Sequence, residues 1–226
     1  MLGRLLATIA IWLAVPAPVQ AETRMAVGGG WALLEAPTVP RAALVLIPGG
    51  DGNLGLTPDG TVTRLQNNQL VRTRRDYPLL GLATLTVDHD VFLPDAVTYM
   101  RSFGVPVVVV ATSRGALRAA GALTGRPDAM VLTAATLDTM KQMLDGPETL
   151  PPLLLIHHRN DGCFGTPPQS AEQFAAWAGG TAELLWMEGG QNEGDACRAM
   201  SHHGFNGLDD KVVAATAEFA LRPRER

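Results

Sequence analysis

Val107-Val108-Val109-Val110-Ala111-Thr112-Ser113-Arg114-Gly115-Ala116-Leu117-Arg118-Ala119-Ala120 reads as a buried strand that turns abruptly into a helix. Four consecutive valines suit a strand covered on both faces, where polar alternation is lost. The alanine-rich continuation suits a helix. At the junction, Ala111-Thr112-Ser113-Arg114-Gly115 follows the G-x-S-x-G pattern of a tight strand-to-helix turn, with alanine at the first small position. Such a turn lifts a serine hydroxyl clear of the sheet. The residues two before and two after must be small, so that strand and helix can approach. The amide of Arg114, at the helix start, then points where an oxyanion would form. A serine here also suits a plain helix cap. Its place between a buried strand and an alanine-rich helix favours a nucleophile.

Working outward, further apolar runs cover Ala42–Ile47, Leu82–Val87, Ala129–Thr133, Leu153–His157 and Ala182–Met187, with the valine strand spanning Pro106–Ala111. Helix-like segments separate them, at about 94–104, 114–125, 136–144, 168–178 and 207–221. A further helix is expected around Leu65–Arg74. Strand–helix alternation of this kind predicts an α/β fold with a mostly parallel sheet, whose functional residues sit on loops at the carboxyl ends of strands.

The bulk properties agree with one folded enzyme-sized unit. The chain has 226 residues, 46% of them hydrophobic and 18% charged, with a net charge of −4. That charge creates no basic field, so nucleic acid is not an expected partner. The short basic cluster Arg72-Thr73-Arg74-Arg75 reads as a solvated helix end. At the N-terminus, Arg4, the apolar stretch Leu5–Val15 and Val19-Gln20-Ala21 have the layout of a signal peptide cleaved before Glu22. The expected division is a leader over 1–21 and one domain over 22–226. The apolar run is too short for a bilayer span, which takes about 20 residues. A periplasmic or secreted location follows, without stable membrane insertion after cleavage. In an oxidising compartment Cys163 and Cys197 can pair, two unpaired thiols being the alternative.

A nucleophilic serine needs a base, and the base needs an orienting carboxylate. Two strand ends offer them. The run His157-His158-Arg159-Asn160-Asp161-Gly162-Cys163 presents Asp161 on a turn, and Ser201-His202-His203-Gly204-Phe205 presents two histidines. Taken with Pro48-Gly49-Gly50-Asp51-Gly52, Asn67-Asn68-Gln69-Leu70-Val71-Arg72 and Cys197-Arg198-Ala199-Met200, these motifs stand in an ordered set. With that set the chain resembles an exported branch of the α/β-hydrolase family over nearly all of its mature length.

The resemblance implies a single-domain α/β-hydrolase fold and a Ser113–Asp161–His203 triad in the chain order serine, acid, histidine. His203 is preferred as base because Gly204-Phe205 follows it in a His-Gly-aromatic arrangement; His202 is the alternative. The oxyanion hole is expected from the amides of Arg114 and of Gly50 or Asp51. Asn68, Arg72, Asp88, His89 and His202 are candidate pocket residues. A Cys163–Cys197 disulfide would tie the acid loop to the base loop. Val87–Pro94 is short and leaves no room for an elaborate lid, which suits small or extended substrates over long lipids. The implied activity is hydrolysis of an ester or related acyl bond in a small molecule, with no cofactor. A metal hydrolase built on the histidines lacks any H-E-x-x-H spacing and leaves Ser113 without a role. A non-catalytic binding protein and an acyltransferase on the same fold stay open as alternatives.

Overall fold

The computed structural model describes residues 18–223. The valine run forms β5, Val107–Thr112, with every residue buried. Its alternation is present but masked by covering on both faces: Val107, Val109 and Ala111 enter one hydrophobic core, Val108 and Val110 the other. Burial of each such side chain contributes about 1.5–3 kcal/mol. The other expected strands are β3 (Ala42–Ile47), β4 (Leu82–Val87), β6 (Ala129–Thr133), β7 (Leu153–His158) and β8 (Ala182–Met187).

Two strands precede these, β1 (Thr23–Val27) and β2 (Gly30–Glu35), forming a hairpin absent from the strand expectations. Its turn is Gly28-Gly29, both at positive φ (+56° and +77°), the conformation favoured between antiparallel strands. The eight strands make one sheet in the order β1-β2-β4-β3-β5-β6-β7-β8. β2 runs antiparallel to both neighbours, and the pairs from β4 to β8 are parallel.

Helices cover both faces. On one lie α3 (Leu93–Arg101), α4 (Gly115–Ala122), α5 (Leu137–Gln142) and α6 (Pro168–Ala178). On the other lie the single turns α1 (Gln69–Arg72) and α2 (Asp76–Leu79) and the long α7 (Asp209–Leu221). The helix expected around Leu65–Arg74 is thus reduced to α1. Leu65 stands at φ +55°, outside helical space, and the Asn68 side chain caps the turn by accepting from Leu70 N at 3.2 Å.

The basic cluster is not a solvated helix end. Arg72 pairs with Asp209, and Arg74 and Arg75 both grip the largely buried carboxylate of Glu22. The leader expected over 1–21 falls mostly outside the described residues. Of its end, Gln20 N donates to Ala36 O at 2.9 Å.

Candidate active site

The turn after β5 places Ser113 at φ +52°, a left-handed conformation costly for a residue with a side chain. Surrounding structure holds it there. Ser113 N donates to Thr133 O at 3.0 Å, while its carbonyl accepts from Ala116 N at 3.1 Å and Thr136 N at 3.3 Å. Gly115 is where smallness is decisive, since a Cβ there would lie 2.5 Å from Ile47 O and 2.8 Å from Pro48 O. Ala111 keeps its methyl group packed in the core. The alanine at the first small position therefore costs this turn nothing visible.

His203 sits in a 3-10 turn, His202–Gly204, capped by Ser201, whose Oγ accepts from His203 N at 3.2 Å. Gly204 has no room for a side chain: a Cβ would lie 2.0 Å from Ala199 O. Phe205, at φ +57°, closes the turn and is fully buried. The His-Gly-aromatic run thus has a steric and a packing reason. His203 Nε2 lies 3.0 Å from Ser113 Oγ, and His203 Nδ1 lies 3.0 Å from Asp161 Oδ2. An imidazole with its hydrogen on Nδ1 would donate to Asp161 and present Nε2 to the Ser113 hydroxyl.

Asp161 lies on the turn after β7 with its carboxyl wholly buried. Three groups serve it besides the imidazole. Cys163 N donates to Oδ1 at 2.9 Å, and Thr166 Oγ1 donates to Oδ2 at 2.8 Å. His157 Nε2 is 3.5 Å from Oδ2 and donates more directly to Thr166 O, at 2.9 Å. The Thr166 hydroxyl also lies 3.0 Å from His203 Nδ1, so it closes a triangle with Asp161 and His203. Thr166 was absent from the expected site. It stands in the loop Gly165-Thr166-Pro167-Pro168, and nothing in that stretch marks a hydroxyl aimed back at Asp161.

The remaining expected residues divide. A cavity of about 400 Å³ opens over Ser113 and His203, walled by the stretch from Leu65 to Gln69 on one side and from Cys197 to Met200 on the other. Gly50 and Asn68 line it. Asp51 does not; its carboxylate turns to Arg64, at 2.6 Å. Arg72 also lies outside the cavity, contrary to its expected place. Its guanidinium forks onto Asp209 (2.8 and 2.7 Å) and donates to Gly204 O at 2.7 Å, tying α1 and α7 to the His203 turn.

Asp88 and His89 are likewise displaced from the expected pocket. Asp88 Oδ1 accepts from Leu54 N and His89 N, each at 2.8 Å, fastening the loop after β3 to the end of β4. Those contacts hold the Asp88 carboxyl below the usual carboxylate range, although burial alone would raise it. Asp88, His89 and Asp90 bring ligand atoms within 4.8 Å of one another, but Asp88 is already committed to these backbone donors.

His202 stacks on His158 at 4.3 Å between ring centroids and faces Asn160 O at 3.2 Å, turned away from Ser113. His157 and His158 bond to backbone carbonyls, Thr166 O and Gly189 O, both at 2.9 Å. Burial pushes both imidazoles below the usual histidine range, so they act as neutral struts. Cys163 and Cys197 form a disulfide that joins the acid loop to the cavity wall.

Comparison with protein-family models finds no match, and comparison with curated proteins finds none either. Solved structures do match. An α/β serine hydrolase without a lid from Xanthomonas campestris aligns over 94% of this chain and 100% of its own, at 14% identity and a TM-score of 0.62. A soluble variant of monoglyceride lipase from Saccharomyces cerevisiae aligns over 96% of this chain and 98% of its own, at 10% identity and a TM-score of 0.59. A carboxyl esterase from the fungus Tuber melanosporum covers 95% of this chain and 88% of its own, at 13% identity and a TM-score of 0.55. At such identities the likeness concerns architecture: the chain has the single-domain, eight-stranded fold of the α/β serine hydrolases.

Proposed function

We propose that this protein is an exported serine hydrolase that cleaves an ester or related acyl bond of a small molecule. The observation that carries the reading is the hydrogen-bonded row Ser113 Oγ, His203 and Asp161, with both links at 3.0 Å, opening onto a cavity. In the first step Ser113 Oγ attacks the carbonyl carbon and its proton passes to His203 Nε2. Asp161, with Thr166 behind it, holds the tautomer and stabilises the imidazolium. The amides of Arg114 and of Gly50 or Asp51 are the donors assigned to the developing oxyanion. Each such donor is worth roughly 3–4 kcal/mol in comparable sites. Collapse expels the alcohol, which takes the proton from His203. Water, deprotonated by the same nitrogen, then releases the acid and restores Ser113.

Export is supported by the leader-like N-terminus and by a disulfide beside the site, a bond that persists in oxidising compartments. The test is labelling of the mature, disulfide-intact protein with a fluorophosphonate, mapped by mass spectrometry. A single adduct on Ser113, lost in Ser113→Ala and in His203→Ala, is expected. Absence of labelling in folded wild type would remove the hydrolase reading and leave a binding protein on this fold.

A further inference from the structure

The cavity over Ser113 is lined by hydrogen-bond donors and one permanent charge. Among the described residues, no aspartate or glutamate lines it, and Arg198 is its only arginine or lysine. Seven of the thirteen arginines among the described residues are committed elsewhere. Arg64, Arg72, Arg74, Arg75, Arg101, Arg159 and Arg222 all hold carboxylates. The Arg198 guanidinium makes no ion pair, hydrogen bond or ring contact among the described residues. The Asp195 carboxylate, the nearest acid in sequence, accepts from Cys197 N at 2.8 Å.

The segment carrying Arg198 is held in place. Cys197 is bonded to Cys163, the Arg198 carbonyl accepts from Ser201 Oγ at 2.8 Å, and Ala199 O accepts from Arg72 at 3.3 Å. Across the cavity, Asn68 has its Oδ1 fixed by Leu70 N. That bond directs Nδ2 toward Gly49, where it would lie 3.4 Å from a Cβ and Ser113 Cβ would lie 3.0 Å from the same point. An unpaired arginine and an oriented amide donor thus line the same cavity as Ser113. Leu65 and Met200 add apolar contact for a short chain.

We infer that the substrates of this site are short esters carrying an anionic group, a carboxylate above all, which Arg198 binds while Ser113 attacks the carbonyl. The inference rests on the serine-hydrolase reading and assigns its substrate class. A guanidinium forks onto a carboxylate with two parallel bonds and cannot lose its charge, which makes Arg198 a specificity residue. Electrostatic attraction also raises the encounter rate with an anion against the chain's net charge of −4.

The test compares Ser113 labelling rates for fluorophosphonates ending in a free carboxylate or in its methyl ester, at two tail lengths, three and six carbons. Wild type should react faster with the carboxylate form at one length or both, by about fivefold, the scale of a solvent-exposed charge pair. The ratio should fall toward one in Arg198→Gln, fall less in Arg198→Lys, which keeps the charge but not the fork, and shrink at 1 M salt, where the Debye length is about 3 Å. Equal or slower labelling by the carboxylate form at both lengths, or a preference that survives in Arg198→Gln, overturns the assignment while leaving the serine reading intact. If no probe labels Ser113, the serine reading itself fails and takes this inference with it.

Discussion

The two turns that meet at the site are built in opposite ways. The Ser113 turn is local: a strand, a strained residue and a helix consecutive in sequence, kept close because Gly115 has no side chain. The His203 turn is assembled from a distance. It hangs from a disulfide to the acid loop, from Arg72 on α1, from Asp209 at the head of α7, and from a close approach to Ala199. Ser113 is therefore secured by backbone sterics, His203 by cross-links together with one close approach. The first kind of support fails by clash. The second fails by loosening, which leaves the fold standing while the 3.0 Å contact to Ser113 is lost.

The steric half of this contrast predicts the largest effects. Gly115→Ala and Gly204→Ala each drive a Cβ into backbone oxygens and should cost at least about 3 kcal/mol in urea unfolding. Ala111→Gly, at the other small position of the same turn, should cost only about 1–2 kcal/mol, from added chain entropy and a lost methyl. Equal losses at 111 and 115 would show that general smallness, rather than one close approach, sets the turn.

Cross-links come next. Cys163→Ser with Cys197→Ser should lose about 2–4 kcal/mol of stability. Labelling of Ser113 should slow more than the unfolding data alone explain, because acid loop and cavity wall separate. Arg72→Met should cost about 2 kcal/mol, the scale of hydrogen bonds to a charged group. Its mark should be a fall in kcat with KM nearly steady, since Arg72 lies outside the cavity. An unchanged kcat would mean that the disulfide alone carries the turn.

Thr166 offers a finer test. Thr166→Val removes a donor to Asp161 while keeping the shape, and should cost about 1 kcal/mol with about a tenfold lower kcat. Thr166→Ser should restore most of that rate. A valine variant as active as wild type would reduce the hydroxyl to packing.

The smallest effect concerns pH. Burial depresses His157 and His158, so the fold keeps them neutral while the unfolded chain takes up protons below about pH 6.5. The unfolded state then binds more protons, so stability is held above that pH and declines as pH falls below it. Unfolding at pH 7.5 and 5.5 should show the loss, and His157→Gln should diminish it.

Much of this molecule was legible along the chain. The valine run, the small residue at 115, the six parallel strands and the order of Ser113, Asp161 and His203 all depend on neighbours in sequence or on strand ends. The hairpin of β1 and β2 had a readable turn in Gly28-Gly29, but its strands are only half buried and carry a weak apolar pattern.

Arg72, Thr166 and Asp88 were beyond reach of sequence for one physical reason: what each does depends on partners brought near by the sheet. Arg72 read as a candidate pocket residue until Asp209 and the Gly204 carbonyl came beside it. Thr166 read as loop until Asp161 faced it. Asp88 became a backbone clamp only when the loop after β3 crossed the end of β4. The sequence by itself determined the six parallel strands and the sharp turn that carries Ser113, because backbone sterics and hydrophobic period act between near neighbours. Tertiary structure alone decided which charges are spent in holding the site together and that an unpaired one, Arg198, lines the cavity, because pairing in space outcompetes solvent only where the fold supplies the partner.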